Sequence, residues 1–150
     1  MRAVIQRVIH ASVSINGATH SQIGKGFLVL IGIEEADTQE DIAWLSNKII
    51  GLRVFNDPDE KMNLSLSDIQ GEILLVSQFT LFASTVKGNR PSFIKAARPE
   101  KAVPLYEEFV SQFKKTLLDK VQSGVFGADM QIELLNDGPV TILIDSKVRE

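Results

Sequence analysis

The sequence predicts a single α/β (α+β) domain, 1–150, built on a large mixed or antiparallel sheet. Three observations carry this expectation. Apolar β-forming runs and two helix-patterned stretches follow one another as strands, helix, strands, helix, strands. Asn16-Gly17 separates two strand-like segments and is a strong two-residue hairpin turn. Leu105, Phe109, Phe113 and Leu117 recur every four residues, the stripe of a long amphipathic helix. A chain of 150 residues is long enough to bury a real core.

Each element has a local reason. Met1 to Val13 is rich in β-formers (Val4, Ile5, Val8, Ile9) and holds no Gly or Pro. Ser12 to Ile15 alternates, and Ala18 to Ile23 returns as the hairpin partner. After the Gly24-Lys25-Gly26 turn, Phe27 to Ile33 is almost continuously apolar, as in a central strand buried on both faces. Thr38 to Gly51 predicts a helix. Asp37 or Thr38 can cap it, Ile42, Leu45 and Ile49 form its stripe, and Gly51 ends it. Leu52 to Phe55 predicts a short strand, Asn56 to Asp59 a turn, and Lys61 to Asp68 a loop. Gly71 to Phe82 predicts the next strand, and Ala83 to Ala97 a loop marked by Gly88 and Pro91. The long helix is expected over Pro99 to Val121, with Pro104 in its first turn. Ser123 to Gly127 predicts a turn, and Met130 to Leu135 and Val140 to Asp145 two final strands.

Composition narrows the function. Cysteine is absent, which excludes disulfides, thiolate metal sites and a Cys nucleophile. The longest apolar run is too short to span a membrane, and the first strand begins at Met1. The expectation is therefore a cytoplasmic protein with neither signal peptide nor membrane segment. Net charge is −3, so the chain as a whole does not advertise nucleic-acid binding. One stretch differs: Lys87, Arg90, Lys95, Arg98 and Lys101 face only Glu100 in charge, which suits either phosphate contact or a solvated loop.

Two short segments carry the candidate chemistry. Ser77-Gln78-Phe79-Thr80-Leu81-Phe82 and Asn136-Asp137-Gly138-Pro139-Val140-Thr141 each follow a strand-like run. Strand ends are where a rigid scaffold displays functional groups. The first offers hydroxyls, a carboxamide and successive backbone N–H groups suited to an oxyanion; the competing reading is a strand that closes on Phe79, Leu81 and Phe82 as core. Metal catalysis has little support, because His10 and His20 match no ligand spacing and suit an edge strand or the surface. A hydrolase using Ser77 or Thr80 lacks both a nucleophile elbow and an evident base.

Taken together these residues resemble the D-aminoacyl-tRNA deacylases, the D-tyrosyl-tRNA deacylase family. The resemblance spans nearly the whole chain: Met1 to Val8, Lys61-Met62-Asn63, Ser77 to Leu81, Gly88 to Phe93, Gly124 to Met130, and Asn136 to Thr141. It implies hydrolysis of the ester joining a D-amino acid to the 3′ end of tRNA, with no metal and no cofactor. It also implies a β-barrel-like fold and a homodimer. Gly138-Pro139 is implied to be cis and to enter the partner subunit's active site, where main-chain oxygens grip the α-amino group and exclude an L side chain. Arg7 would hold this step, the competing reading being a surface arginine on a strand. Glycyl-tRNA would be admitted as well, since glycine lacks the excluded side chain.

The resemblance implies that Ser77, Gln78, Phe79 and Thr80 form the catalytic strand end, with the amides of Phe79 and Thr80 binding the oxyanion and the terminal ribose 2′-hydroxyl activating water. Phe126 and Met130 would line the adenosine site, while Lys87 and Arg90 would meet acceptor-stem phosphates. A nucleic-acid-binding module without catalysis and a side-chain hydrolase using Ser77 or Thr80 stand as the competing readings.

Overall fold

The computed structural model describes residues 1–149. Strand β1 (Arg2–Ile15) is the spine of the sheet. One edge pairs antiparallel with β8 (Gln131–Asp145) from Arg2↔Asp145 to Ser14↔Gln131. The other edge pairs with β3 (Gly26–Gly32) as far as Val8, and from Ala11 onward with β2 (Ala18–Ile23). β3 runs parallel to β6 (Glu72–Ser77), and β6 parallel to β7 (Val121–Ser123). β2 packs back against β6 and β7, so the mixed sheet curls into a nearly closed, barrel-like form. With its two main helices this is the α+β architecture the sequence predicts.

The hairpin turn behaves as its sequence requires. Asn16 (φ 52°) and Gly17 (φ 77°) are both left-handed, the geometry a tight two-residue hairpin needs. Helix α1 (Gln39–Ile50) is capped by Thr38, whose backbone N–H donates to the Asp41 carboxylate at 2.9 Å, one arm of a capping box. Helix α2 (Pro99–Leu117) buries Tyr106, Phe109, Val110, Phe113 and Leu117. Both helices pack on one face of the sheet over Ile5, Phe27, Val29, Ile73 and Leu75. A second cluster, Val8, Ala11, Val13, Ile23, Leu28, Leu74 and Val76, fills the inside of the curl. Truncating a fully buried side chain such as Phe109 to Ala would cost about 3–5 kcal/mol.

Several boundaries differ from the sequence expectation. β6 ends at Ser77, and Phe79–Phe82 forms one turn of 3-10 helix rather than strand. The strand expected over Leu52 to Phe55 is only β4 (Phe55–Asn56), and its partner β5 (Met62–Leu64) lies inside the expected loop. Helix α2 stops at Leu117 because Leu118 turns to φ 55°, and Val121, expected on the helix, belongs to β7. Pro99 occupies the first turn, while Pro104 sits further in, on the exposed side. The two expected C-terminal strands run as the single strand β8.

Candidate active site

The first motif builds a defined strand end. Gln78 leaves β6 with φ −147° and ψ 82°, and its N–H donates to the Ile31 carbonyl at 2.7 Å, which ties the turn to β3. The Leu81 N–H then donates to the Gln78 carbonyl at 3.2 Å. Among the described residues the N–H groups of Phe79 and Thr80 have no acceptor. They are the first donors of a helical turn, which that geometry always leaves unbonded within the turn.

Beside them lies a cavity of about 310 Å³. Ser77, Gln78, Phe79, Phe126 and Met130 all line it, together with Ile31, Val76, Ala102 and Ile132. Thr80 is the next residue beyond the lining, and its hydroxyl accepts a 2.6 Å hydrogen bond from Gln78 Nε2. Phe79 is 56% exposed and meets Phe93 edge-on at 5.1 Å, whereas Phe82 is buried. The alternative in which this segment closes on Phe79, Leu81 and Phe82 as core therefore holds only in part: Phe82 is buried and Leu81 half-buried, but Phe79 faces outward.

The opposite wall comes from the β7–β8 connection. The Leu75 carbonyl on β6 accepts from the Gly124 N–H at 2.9 Å and from the Tyr106 hydroxyl at 2.8 Å. Burial pushes the Tyr106 hydroxyl far above its ordinary pKa, so it stays a neutral donor. Tyr106 in turn packs against Phe126, with ring centroids 5.9 Å apart. A Cβ at Gly124 would lie 2.6 Å from Met130 Sδ, so a side chain there would displace the flexible end of Met130 from its present place in the cavity wall. The sequence pointed to Phe126 and Met130 but not to Tyr106, whose only signal is its place on the apolar stripe of α2.

The second motif forms a separate feature. Gln6 pairs with Thr141 and Val8 with Asn136, so Arg7 alone stands opposite Asp137, Gly138, Pro139 and Val140. Those residues are extruded from the sheet, with Gly138 and Pro139 exposed. The Gly138–Pro139 bond is cis. Gly138 has φ +122°, and a Cβ there would lie 2.9 Å from both Arg7 Nη2 and Val140 Cγ2. Arg7 is only 7% exposed, so it is not the surface arginine its strand position allowed. Its Nε meets the Asp137 carboxylate at 3.0 Å and the Asp137 carbonyl at 3.3 Å, and Nη1 donates to the Val54 carbonyl at 2.5 Å. A buried guanidinium satisfied by a carboxylate and two carbonyls is a rigid clamp. Within one chain the two features stay apart: Arg7, Gly138 and Pro139 do not line the cavity.

The basic stretch divides in two. Ser84 and Ser92 exchange backbone hydrogen bonds of 2.8 and 2.9 Å, which closes an exposed loop carrying Lys87 and Arg90. Lys101, by contrast, donates to the Glu35 carbonyl and braces the start of α2. His10 and His20 are exposed on β1 and β2, and neither lines the cavity. Among the described residues no group of three or more His, Asp or Glu is placed to hold a metal ion.

A strand end with two unengaged amides beside a largely apolar cavity, without a paired nucleophile and base, has the donors that a hydrolase relying on backbone electrostatics would need. The family follows from comparison: the D-Tyr-tRNA(Tyr) deacylase model matches residues 4–145, and the chain belongs to that family of hydrolases acting on aminoacyl-tRNA. The D-aminoacyl-tRNA deacylase of Flavobacterium psychrophilum is 62% identical over 150 residues, covering 100% of both chains. That of Porphyromonas gingivalis is 61% identical, again over 100% of both. A solved structure of a c-Myc DNA unwinding element binding protein is 46% identical, covers 97% of this chain and 98% of its own, and superposes with a TM-score of 0.92. Another, of a probable eukaryotic D-amino acid tRNA deacylase, shares the fold with a TM-score of 0.81 at 18% identity, covering 95% of this chain and 97% of its own. Among the described residues no helix is long and apolar enough to cross a membrane.

Proposed function

We propose that this chain proofreads chirality in translation by hydrolysing the ester of D-aminoacyl-tRNA, and that it does so as a homodimer. The observation that supports this most is the separation of the two motifs. The clamped Gly138–Pro139 turn projects from the sheet, while the cavity beside Phe79 and Thr80 lies elsewhere on the same chain. A second copy offers each cavity a turn from its partner.

In this reading the 3′-terminal adenosine lies along Phe126 and Met130, and the aminoacyl carbonyl rests against the Phe79 and Thr80 amides. Water attacks the carbonyl carbon, and the amides stabilise the oxyanion as it forms. The ribose 2′-hydroxyl activates that water, so the substrate supplies part of the catalysis. The ester C–O bond then breaks, giving a free D-amino acid and tRNA. Main-chain oxygens of the partner's Gly138–Pro139 turn hold the α-amino group and leave no space for an L side chain. Glycyl-tRNA, which has no side chain to exclude, is hydrolysed as well. The exposed Lys87 and Arg90 attract acceptor-stem phosphates. The site of action is the cytoplasm, where charged tRNA is consumed. No cofactor takes part.

The test is deacylation of D-Tyr-, Gly- and L-Tyr-tRNA by wild type and Gly138→Ala, with the oligomeric state measured by light scattering. The reading expects a dimer that spares only the L form, and a variant that loses D-over-L preference. A wild-type protein that binds these RNAs without releasing any amino acid would favour the binding-module reading instead. The name of the 46%-identical structure makes that the alternative to carry.

A further inference from the structure

Asn136 opens the second motif, and both hydrogens of its side-chain amide are engaged. It is half-buried, and Nδ2 donates to two carbonyls: that of Arg7 at 3.0 Å and that of Val140 at 3.0 Å. Both partners are pure acceptors, so the amide nitrogen, not the oxygen, must face them. The first bond runs across to β1 at the very residue opposite the extruded segment. The second closes Asn136 onto Val140, the last residue of that segment before pairing resumes at Thr141. One side chain thus pins both the base and the far end of the turn that carries Gly138 and Pro139.

The Arg7 side chain does a different job. Its guanidinium holds Asp137, on the entering side of the turn, and anchors to Val54 and Asn56. Nothing in that set restrains the Val140 end. Without Asn136 the Val140 carbonyl loses this bond, and only the ladder pairing that resumes at Thr141 restrains the exit of the turn, while Arg7 keeps its entrance fixed.

We propose that Asn136 is a positioning residue for stereochemical selectivity: its two hydrogen bonds set how far and at what angle the Gly138–Pro139 turn projects. This rests on the reading that the turn excludes L substrates. A displacement of about 1 Å at such a feature is enough to change rates by orders of magnitude. Its loss would therefore act on discrimination more than on the rate with D substrate.

Asn136→Asp tests this, because it keeps the side-chain volume and removes both donors. The readout is the ratio of kcat/KM for D-Tyr-tRNA over L-Tyr-tRNA, which a loss of stability alone does not move. We expect that ratio to fall at least tenfold, in the same direction as in Gly138→Ala. If Gly138→Ala lowers the ratio and Asn136→Asp leaves it at the wild-type value, Asn136 has no positioning role and the selective turn stands. If neither variant moves the ratio, both fall. Should Asn136→Asp not fold, Asn136→Ser carries the same comparison: a lowered ratio supports the role, and an unchanged one overturns it.

Discussion

The Gln78 side-chain amide donates a 2.6 Å hydrogen bond to the Thr80 hydroxyl, across the first turn after β6. The hydroxyl is thereby held as an acceptor, and both histidines, the ordinary bases for activating such a group, lie on other strands, outside the cavity lining. With no base beside the hydroxyl, this relationship fits the proposed role of Thr80 through its backbone amide. Thr80→Ala should lower kcat on D-Tyr-tRNA by about three- to tenfold, the value of one neutral hydrogen bond. Complete loss of activity in a folded protein would restore the side-chain mechanism.

The cavity wall depends on Gly124. Because a Cβ there would lie 2.6 Å from Met130 Sδ, Gly124→Ala should push Met130 into the cavity. The expected result is a raised KM for aminoacyl-tRNA, with recovery in the double variant Gly124→Ala, Met130→Ala. A double variant no better than the single one would show that the added methyl disturbs β7 rather than Met130.

Lys87 and Arg90 stand on an exposed loop closed by Ser84 and Ser92. Replacing both by Gln should weaken tRNA binding and flatten its salt dependence, by a slope of roughly one for each phosphate no longer neutralised. Hydrolysis of a D-aminoacylated adenosine, which lacks those phosphates, should be unchanged. Salt titrations of KM for the two substrates check this.

Asp41 governs behaviour in acid. Burial alone would raise its carboxyl, but hydrogen bonds from Lys147, Ser146 and Thr38 outweigh burial and hold it well below the usual carboxylate range. A carboxylate with a depressed folded-state pKa adds stability above its unfolded value, near 4, and loses it as pH falls towards the folded value. Wild type should therefore lose stability below about pH 4. Asp41→Asn should be less stable at pH 7 by about 1–3 kcal/mol and show a shallower acid decline. Denaturant melts at pH 7 and pH 3 measure both effects.

Much of the fold was legible because its signals are local. Asn16-Gly17, the Thr38 cap and the four-residue stripe of α2 each depend on neighbours in sequence, and each holds. The errors lie where distant pairing decides. Ser77 looks like mid-strand, yet it is the last residue of β6 to pair with β3, and the chain then turns into the 3-10 segment Phe79–Phe82. Val121 continues the helical stripe, yet Ile73 on β6 claims it as a strand partner. The candidate site was legible as two motifs, and the structure gathers Ser77 to Phe79 with Phe126 and Met130. The resemblance implies that Arg7 holds the Gly138–Pro139 step, but its burial could not be read from the strand pattern, since an arginine on an alternating strand is ordinarily exposed.

The proposed activity is selective hydrolysis of the D ester without a metal. Its most direct test is deacylation of matched D-Tyr-tRNA and L-Tyr-tRNA by the purified protein in the presence of a chelator. Release should be rapid from the D form and no faster than background from the L form. Equal release from both, or release from neither, would contradict it.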